Sequence, residues 1–192
     1  LLGSLILVRV GGGSYRGMQR YIDLAFMGAA FLLLETKNVV QFALLFGTTW
    51  VVNAAVFAGV LLSVLAAIET ARRVRLPRPV LLYVGLLAAL VLAFVIPPAA
   101  LLSLPVVPRF LAGVALAFAP IYLANLVFAQ RFARTGSTTV AFGANLLGAM
   151  LGGTLEYLAL ISGYRSLLVV VALLYGLAFL TGRKHLAAAA AG

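Results

Sequence analysis

The stretch PVLLYVGLLAALVLAFVIP (79–97) decides the fold, because it contains no charged side chain from end to end. An α-helix needs about 20 predominantly apolar residues to cross the hydrocarbon core of a bilayer. A proline stands at each end of the stretch, and proline has no backbone N–H with which to continue a helix. The stretch therefore predicts one transmembrane helix.

Similar apolar runs lie on both sides of this stretch, separated by short segments rich in arginine, glycine or proline. The same length criterion predicts an all-α, polytopic transmembrane bundle. Residues 1–20 would contain the end of a preceding helix and a basic, glycine-rich loop; residues 183–192 would form a tail. The domain at 21–182 has six predicted spans, at 21–46, 47–70, 79–97, 109–130, 138–160 and 165–182.

The composition agrees with lipid as the main solvent of the surface. Hydrophobic residues make up 65% of the 192-residue chain and charged residues 9%, whereas soluble proteins have roughly 25% charged residues. The formal net charge of +10 would suggest nucleic acid in a soluble chain. Here the basic residues other than Lys37 fall in the gaps between apolar runs or at their ends, so we interpret them as topology signals and lipid-headgroup contacts and predict no nucleic-acid partner.

The basic residues also predict the orientation of the bundle. If the six spans alternate in direction, Arg109 and Arg165 fall on one side of the membrane. Eleven fall on the other side: Arg9, Arg16, Arg20, Arg72, Arg73, Arg75, Arg78, Arg131, Arg134, Arg183 and Lys184. Cytoplasmic loops collect Lys and Arg, so this split predicts a multi-pass protein of a bacterial inner membrane with a cytoplasmic C-terminus.

Few residues could hold a cofactor or form a soluble active site. The chain has no cysteine, and its single histidine, His185, follows the last apolar run. Thiolate metal sites and haem ligation within the spans are thereby excluded, and we predict neither cofactor nor metal. There is no Ser–His–Asp set and no closely spaced pair of carboxylates, so we predict that the chain is not an enzyme.

Four polar side chains interrupt the first predicted span: Glu35, Lys37, Asn38 and Gln41. Ionisable groups in a span are costly and usually face protein or a water-filled cavity. One interpretation is a binding or proton-coupling site with Glu35 as the charged group. The other is a helix that breaks near residue 36, with the polar residues lining the break. The two are compatible, because transporter sites are often built at broken helices.

The fifth predicted span presents Asn145, Gly148, Gly152 and Glu156 at i, i+3 and i+4 steps on one helical face. Gly148 and Gly152 form a GxxxG pattern, which lets another helix approach its backbone closely. We interpret this face as a helix-packing surface. Packing alone does not require the carboxylate of Glu156, so we expect Arg109, Arg165 or a tyrosine hydroxyl as its partner.

Three further polar or helix-distorting residues lie singly in the spans. Asn53 and Asn125 are expected to form hydrogen bonds between helices, which is the usual role of an isolated asparagine in a membrane bundle. Pro120 is expected to kink the fourth span and to leave a backbone carbonyl without its helical donor.

Two strings in the chain resemble the membrane region of bacterial spermidine synthase-like proteins. They are GAAFLLLETKNVVQFALLFGTTWVVNAAV (28–56) and FGANLLGAMLGGTLEYLALISGYRSLLVVVALLY (142–175). In that family a major-facilitator-like membrane region accompanies an aminopropyltransferase-like domain. The resemblance implies six helices arranged like one half of a major-facilitator-type fold, and a related second half preceding this segment in a longer protein.

The same resemblance implies a function without catalysis. The nucleoside-binding loop and catalytic aspartates of the family have no counterpart here, where Asp23 is the single aspartate. We expect a membrane module that moves or senses a small cation such as a polyamine, with Glu35, Asn145 and Glu156 as the polar positions carried forward from the family-like strings. The alternative is a non-catalytic structural or accessory subunit, packed against other transmembrane helices or subunits.

Overall fold

The computed structural model describes residues 15–74, 76 and 78–187, and for residues 15, 16 and 183–187 it describes the backbone alone. Several sequence-based expectations fall outside the described residues. They concern the preceding helix at 1–9, most of the glycine-rich loop, the end of the tail, and the side chains of Arg9, Arg16, Arg75, Arg183 and Lys184.

The described residues form nine α-helices and no strand. In chain order they are α1 (Tyr15–Gln19), α2 (Ile22–Phe46), α3 (Trp50–Arg73), α4 (Pro79–Val95), α5 (Pro98–Leu102), α6 (Val106–Phe132), α7 (Thr138–Leu155), α8 (Leu158–Ser162) and α9 (Ser166–Ala187).

Four segments are long and apolar enough to cross a membrane: α2, α3, α6, and the continuous stretch Thr138–Ser162 that contains α7 and α8. Two shorter apolar helices, Pro79–Val95 and Ser166–Gly182, accompany them within the described part of the chain. The fold is therefore all-helical, with at least four helices suited to span a bilayer, as the composition predicts.

The expected break in the first span is wrong, because α2 is one continuous helix from Ile22 to Phe46. Neither proline nor glycine occurs between Ala29 and Phe46 to interrupt it. The polar side chains of Lys37 and Asn38 are instead satisfied by each other and by a neighbouring helix. The backbone thus keeps its internal hydrogen bonds, as a helix in lipid must.

The proline-containing segment between the third and fourth predicted spans is partly helical. It contains the single-turn helix α5, followed by Ser103–Pro105 and the start of α6. α6 continues past Pro120 to Phe132 without interruption.

α2 is the central helix, and it contacts α3, α6, α7 and α9. α7 runs parallel to α2, because Gly148 lies against Ala25 and Gly152 lies one turn further on against Ala29. α9 runs antiparallel, because its last residues approach the first turn of α2, where Gly182 lies beside Asp23. α6 contacts α3 and α4 on the other side of the bundle.

We call the two ends of the bundle the basic end and the far end. At the basic end α2 begins and α3 and α6 terminate, and Arg72, Arg73, Arg131 and Arg134 lie there. At the far end Arg109 donates to the carbonyls of Leu102 and Leu104, and Arg165 donates to the carbonyl of Phe94.

Candidate functional site

Glycines bring the backbones of α2 and α7 so close together that no side chain would fit at the glycine positions. A Cβ atom at Gly148 would lie 1.8 Å from the Ala25 carbonyl oxygen, and one at Gly152 would lie 2.6 Å from that of Ala29. From the opposite helix, a Cβ at Gly28 would lie 2.1 Å from the Asn145 carbonyl oxygen. This backbone contact holds the polar groups of both helices in a fixed register.

Asn145 uses this close approach to bond across the interface. Its side-chain Nδ2 donates to the Leu24 carbonyl oxygen at 3.0 Å. Because that carbonyl belongs to the first turns of α2, the hydrogen bond ties the start of α2 to the middle of α7. Asn145 is half-buried, and its side chain also borders a cavity.

Lys37 and Asn38 form a buried pair on the side of α2 that faces α6. The Lys37 side chain is 2% exposed, and its Nζ donates to Asn38 Oδ1 at 3.2 Å. Asn38 Nδ2 donates in turn to the Ala117 carbonyl oxygen of α6 at 3.0 Å. That carbonyl neighbours the one of Leu116, which Pro120 deprives of its helical donor.

No carboxylate pairs with Lys37 in the part of the chain that the structure describes. Gln41, one turn beyond Lys37 on α2, is also buried. Of the four polar residues that interrupt the first predicted span, three are therefore buried in the bundle. Glu35 alone is half-buried.

The two carboxylates of the candidate site differ in their surroundings. Glu35 is half-buried, and none of the described residues donates a hydrogen bond to it or pairs with it. Glu156, which ends α7, accepts a hydrogen bond from the Thr36 hydroxyl at 3.0 Å. The parallel packing of α2 and α7 thus brings Glu156 to the residue next to Glu35.

The expected partners of Glu156 are not the ones observed. Arg109 and Arg165 donate to backbone carbonyls at the far end, and the donor to Glu156 is a threonine of α2. The reason is the register of α2 against α7, which the glycine contacts set and which no pattern within either helix specifies.

A cavity of about 200 Å³ lies where α2, α3, α6, α7 and α9 meet. Its walls are mainly apolar, and they include four aromatic side chains and two asparagines: Phe31, Phe128, Phe142, Tyr175, Asn125 and Asn145. Glu35 lies one turn beyond Phe31 on α2, and the i, i+4 spacing puts the two on the same side of the helix. A half-buried carboxylate therefore lies near an aromatic cavity with amide groups in its wall.

The two isolated asparagines do not form the expected interhelical hydrogen bonds. Asn125 Nδ2 donates to the Ile121 carbonyl of its own helix at 2.8 Å, which leaves the rest of its amide group facing the cavity. Asn53 lies in the first turn of α3 with its side chain exposed.

The sequence analysis missed one buried ion pair, between Asp23 of α2 and Arg131 of α6. Both side chains are almost fully buried, and the guanidinium donates two hydrogen bonds to the carboxylate. Arg131 was counted as a loop charge, which is wrong. It also lies over the Tyr21 ring, 5.8 Å from the centroid. The sequence did contain one signal of this ion pair, because a carboxylate such as Asp23 within an apolar span needs a partner.

Among the residues that the structure describes, no group of three or more His, Asp or Glu side chains is close enough to hold an ion.

Comparison with protein-family models, with curated proteins and with solved structures finds no match to this chain. The likeness to spermidine synthase-like proteins therefore rests on the two sequence strings.

Proposed function

We propose that this chain is an integral membrane module that binds a small organic cation between its helices, as a transporter or sensor does. The observation that carries the proposal is the aromatic cavity with the half-buried, unpaired carboxylate of Glu35 one helical turn away. Aromatic faces and amide oxygens attract cations, and a carboxylate in an apolar interior is costly unless a positive charge or a hydrogen-bond donor compensates it.

The direction of the helices supports six membrane crossings. Each crossing reverses the chain, so two parallel helices must be separated by an odd number of crossings. α2 and α7 are parallel, and α3, α4 and α6 lie between them. Without α4 the number would be two, which supports a crossing of its own for the 17-residue α4. α9, antiparallel to α2, then provides the sixth.

The pairing of helices supports a resemblance to one half of a major-facilitator-type fold. Such a half consists of two three-helix repeats of inverted topology. We take α2, α3 and α4 as the first repeat and α6, α7 and α9 as the second. The first helix of each repeat then contacts the second helix of the other repeat, as α2 contacts α7 and α6 contacts α3. The first helix of each repeat also contacts the third helix of the other repeat, as α2 contacts α9 and α6 contacts α4. All four contacts occur.

The remaining parts of the proposal rest on the sequence. The excess of arginine at the basic end supports its assignment to the cytoplasm, and with it a cytoplasmic C-terminus in a bacterial inner membrane. The likeness to spermidine synthase-like proteins makes polyamines the first cations to test. Aminopropyl transfer is not assigned to this chain, because it lacks the residues that the resemblance would require.

The decisive experiment is binding of radiolabelled putrescine and spermidine to the protein in lipid nanodiscs. We expect Glu35→Gln to weaken binding about tenfold, the equivalent of about 1.4 kcal/mol, without a change in melting temperature. The matched control is Glu69→Gln, which neutralises an exposed carboxylate that is paired with arginines and does not line the cavity. Equal affinity of the wild type and Glu35→Gln would contradict the role of Glu35, and no binding to the wild type would contradict the proposal.

A second candidate function is a non-catalytic structural subunit of a larger membrane complex. It is favoured by the outer surface of α3 and α7, where only 17% of the most apolar window of each helix is buried. This account predicts no binding of cations by the wild type and stable co-purification with another membrane protein after mild solubilisation. Saturable cation binding that depends on Glu35 would exclude it as the sole function.

A further inference from the structure

Lys37 is a cation buried in the bundle without a counter-ion. Its side chain is 2% exposed, and its ammonium group makes one hydrogen bond among the described residues, to Asn38 Oδ1. That bond uses one of the three N–H donors of the ammonium group. The amide oxygen of Asn38 is neutral, so it satisfies a donor but does not cancel the charge. A buried charge is strongly destabilising unless an opposite charge compensates it.

The chain has four acidic residues, and none of them forms an ion pair with Lys37. Asp23 and Glu69 are paired with arginines at the basic end. Glu156 accepts a hydrogen bond from a threonine on the side of α2 that faces α7. Glu35 lies two residues before Lys37, which places the two side chains about 200° apart around the helix axis. The charge that compensates Lys37 must therefore come from another source.

Gln41 adds an unpartnered amide group beside this charge. It follows Lys37 at i+4, so both side chains lie on one face of α2. Its side chain is 3% exposed, and no described residue makes a hydrogen bond with its amide group. In the described part of the chain, every fully enclosed polar side-chain atom has a hydrogen-bond partner. The amide of Gln41 must therefore border a space that a water-sized sphere can enter.

We infer that Lys37 and Gln41 bind a small monovalent anion, with chloride as the example, in this space. The ammonium group provides the opposite charge and two further N–H donors, and the Gln41 amide provides additional donors. A water molecule would fill the space but would leave the charge uncompensated. Because both side chains are almost fully buried, an inorganic anion fits beside them better than an organic one.

This anion site is separate from the proposed cation site. Neither Lys37 nor Gln41 lines the aromatic cavity, and Glu35 lies on the other side of α2 from Lys37. The two proposals can therefore fail independently, because loss of cation binding does not imply loss of anion binding.

The test is equilibrium binding of radiolabelled chloride to the protein in phosphatidylcholine nanodiscs, with gluconate as the background salt because it is too large for the site. We expect one saturable chloride per chain. An anion that binds only the folded state stabilises it, so chloride at about a hundredfold its dissociation constant should raise the melting temperature by about 5 °C relative to gluconate. Absence of saturable binding to the wild type would overturn the inference.

Two variants locate the bound anion. Lys37→Met removes the charge, keeps the side chain long, and should abolish chloride binding. Replacing a buried charge by an apolar residue of similar volume is often tolerated, so this variant is expected to fold. Gln41→Leu retains Lys37 but removes the amide donor, and it should weaken chloride binding about tenfold. If Lys37→Met does not fold, Gln41→Leu decides the question, and unchanged affinity in that variant would overturn the site.

The matched control is Arg73→Gln, which removes a positive charge from an exposed side chain outside the site. We expect its chloride affinity to equal that of the wild type. An equal loss of binding in Arg73→Gln and Lys37→Met would show that chloride is attracted by the net charge of the protein and would refute the site. Wild-type affinity in Lys37→Met would place the anion elsewhere and refute it as well.

Discussion

The helices α2 and α3 are of similar length and adjacent in the chain, yet they occupy opposite environments. Half of the most apolar window of α2 is buried, against 17% for α3, although α3 is the more apolar helix of the two. The buried charged and amide side chains include Asp23, Lys37, Asn38 and Gln41, all on α2. α3 exposes leucines to the surroundings and keeps its charges near its end.

The difference shows that apolarity in this protein follows exposure to lipid. In water the most apolar helix would be buried, but lipid tails are as apolar as leucine and provide no drive to bury it. A central position must then be specified by close packing and by polar contacts. α2 has both, in its glycine contacts with α7 and its hydrogen bonds to α6 and α7.

The largest expected effect comes from the ion pair of α2. Asp23→Asn leaves the Arg131 charge buried and unpaired, which should destabilise the bundle by about 3–5 kcal/mol. The matched change on α3, Glu69→Gln, removes a carboxylate from an exposed pair and should cost less than about 1 kcal/mol. Unfolding in mixed micelles of increasing denaturing detergent measures both.

A double variant separates the loss of the ion pair from a loss of packing. Asp23→Leu combined with Arg131→Met removes both charges and should recover most of the lost stability. A double variant no more stable than Asp23→Asn would show that the pair is not the cause.

An intermediate effect is expected at the glycines. Gly148→Ala places a methyl group against the backbone of α2, which cannot yield without separating the helices, and should cost about 3 kcal/mol. Gly59→Ala on α3 meets the side-chain ring of Phe118 instead, which can turn away, so its cost should be below about 1 kcal/mol. Similar melting temperatures for the two variants would contradict the assignment of the α2–α7 contact as the tighter one.

The smallest effect tests lipid exposure directly. Leu33→Ala on α2 removes a side chain with no exposed surface and should cost about 2 kcal/mol. Leu62→Ala on α3 removes one that is 65% exposed, where lipid fills the space, and should change stability by less than about 0.5 kcal/mol. Equal losses, measured by the same detergent titration, would mean that another protein or a second copy covers α3.

Much of the fold can be predicted from the sequence, because a helix in lipid must be both apolar and long. Five of the six predicted spans each coincide with one helix, and the span 138–160 covers both α7 and α8; the ends differ by up to five residues. Turn signals such as Gly47 and Pro79 mark the boundaries, since a glycine with φ of 96° or a proline interrupts the helical hydrogen-bond pattern.

The candidate site is less predictable, because it depends on which helices meet and in what register. Spacing along one helix indicates that Gly148 and Gly152 share a face, but α2 as their partner emerges only from the packing. Thr36 as the donor to Glu156 and Arg131 as the partner of Asp23 depend on contacts between residues more than a hundred positions apart. The hydrophobic pattern contains no information on such pairs.

The parallel pairing of α2 with α7 has a consequence for biosynthesis. A ribosome makes α2 first and then completes α3, α4 and α6 before α7 emerges. At roughly 5–20 residues per second, α2 waits on the order of ten seconds for the helix that it contacts most closely. During that interval the Thr36 hydroxyl lacks Glu156 as its acceptor, and neither the Asp23 carboxylate nor the Asn38 Nδ2 has its partner until α6 arrives. The translocation machinery must therefore shelter a helix whose polar groups will be satisfied only by segments still to be translated.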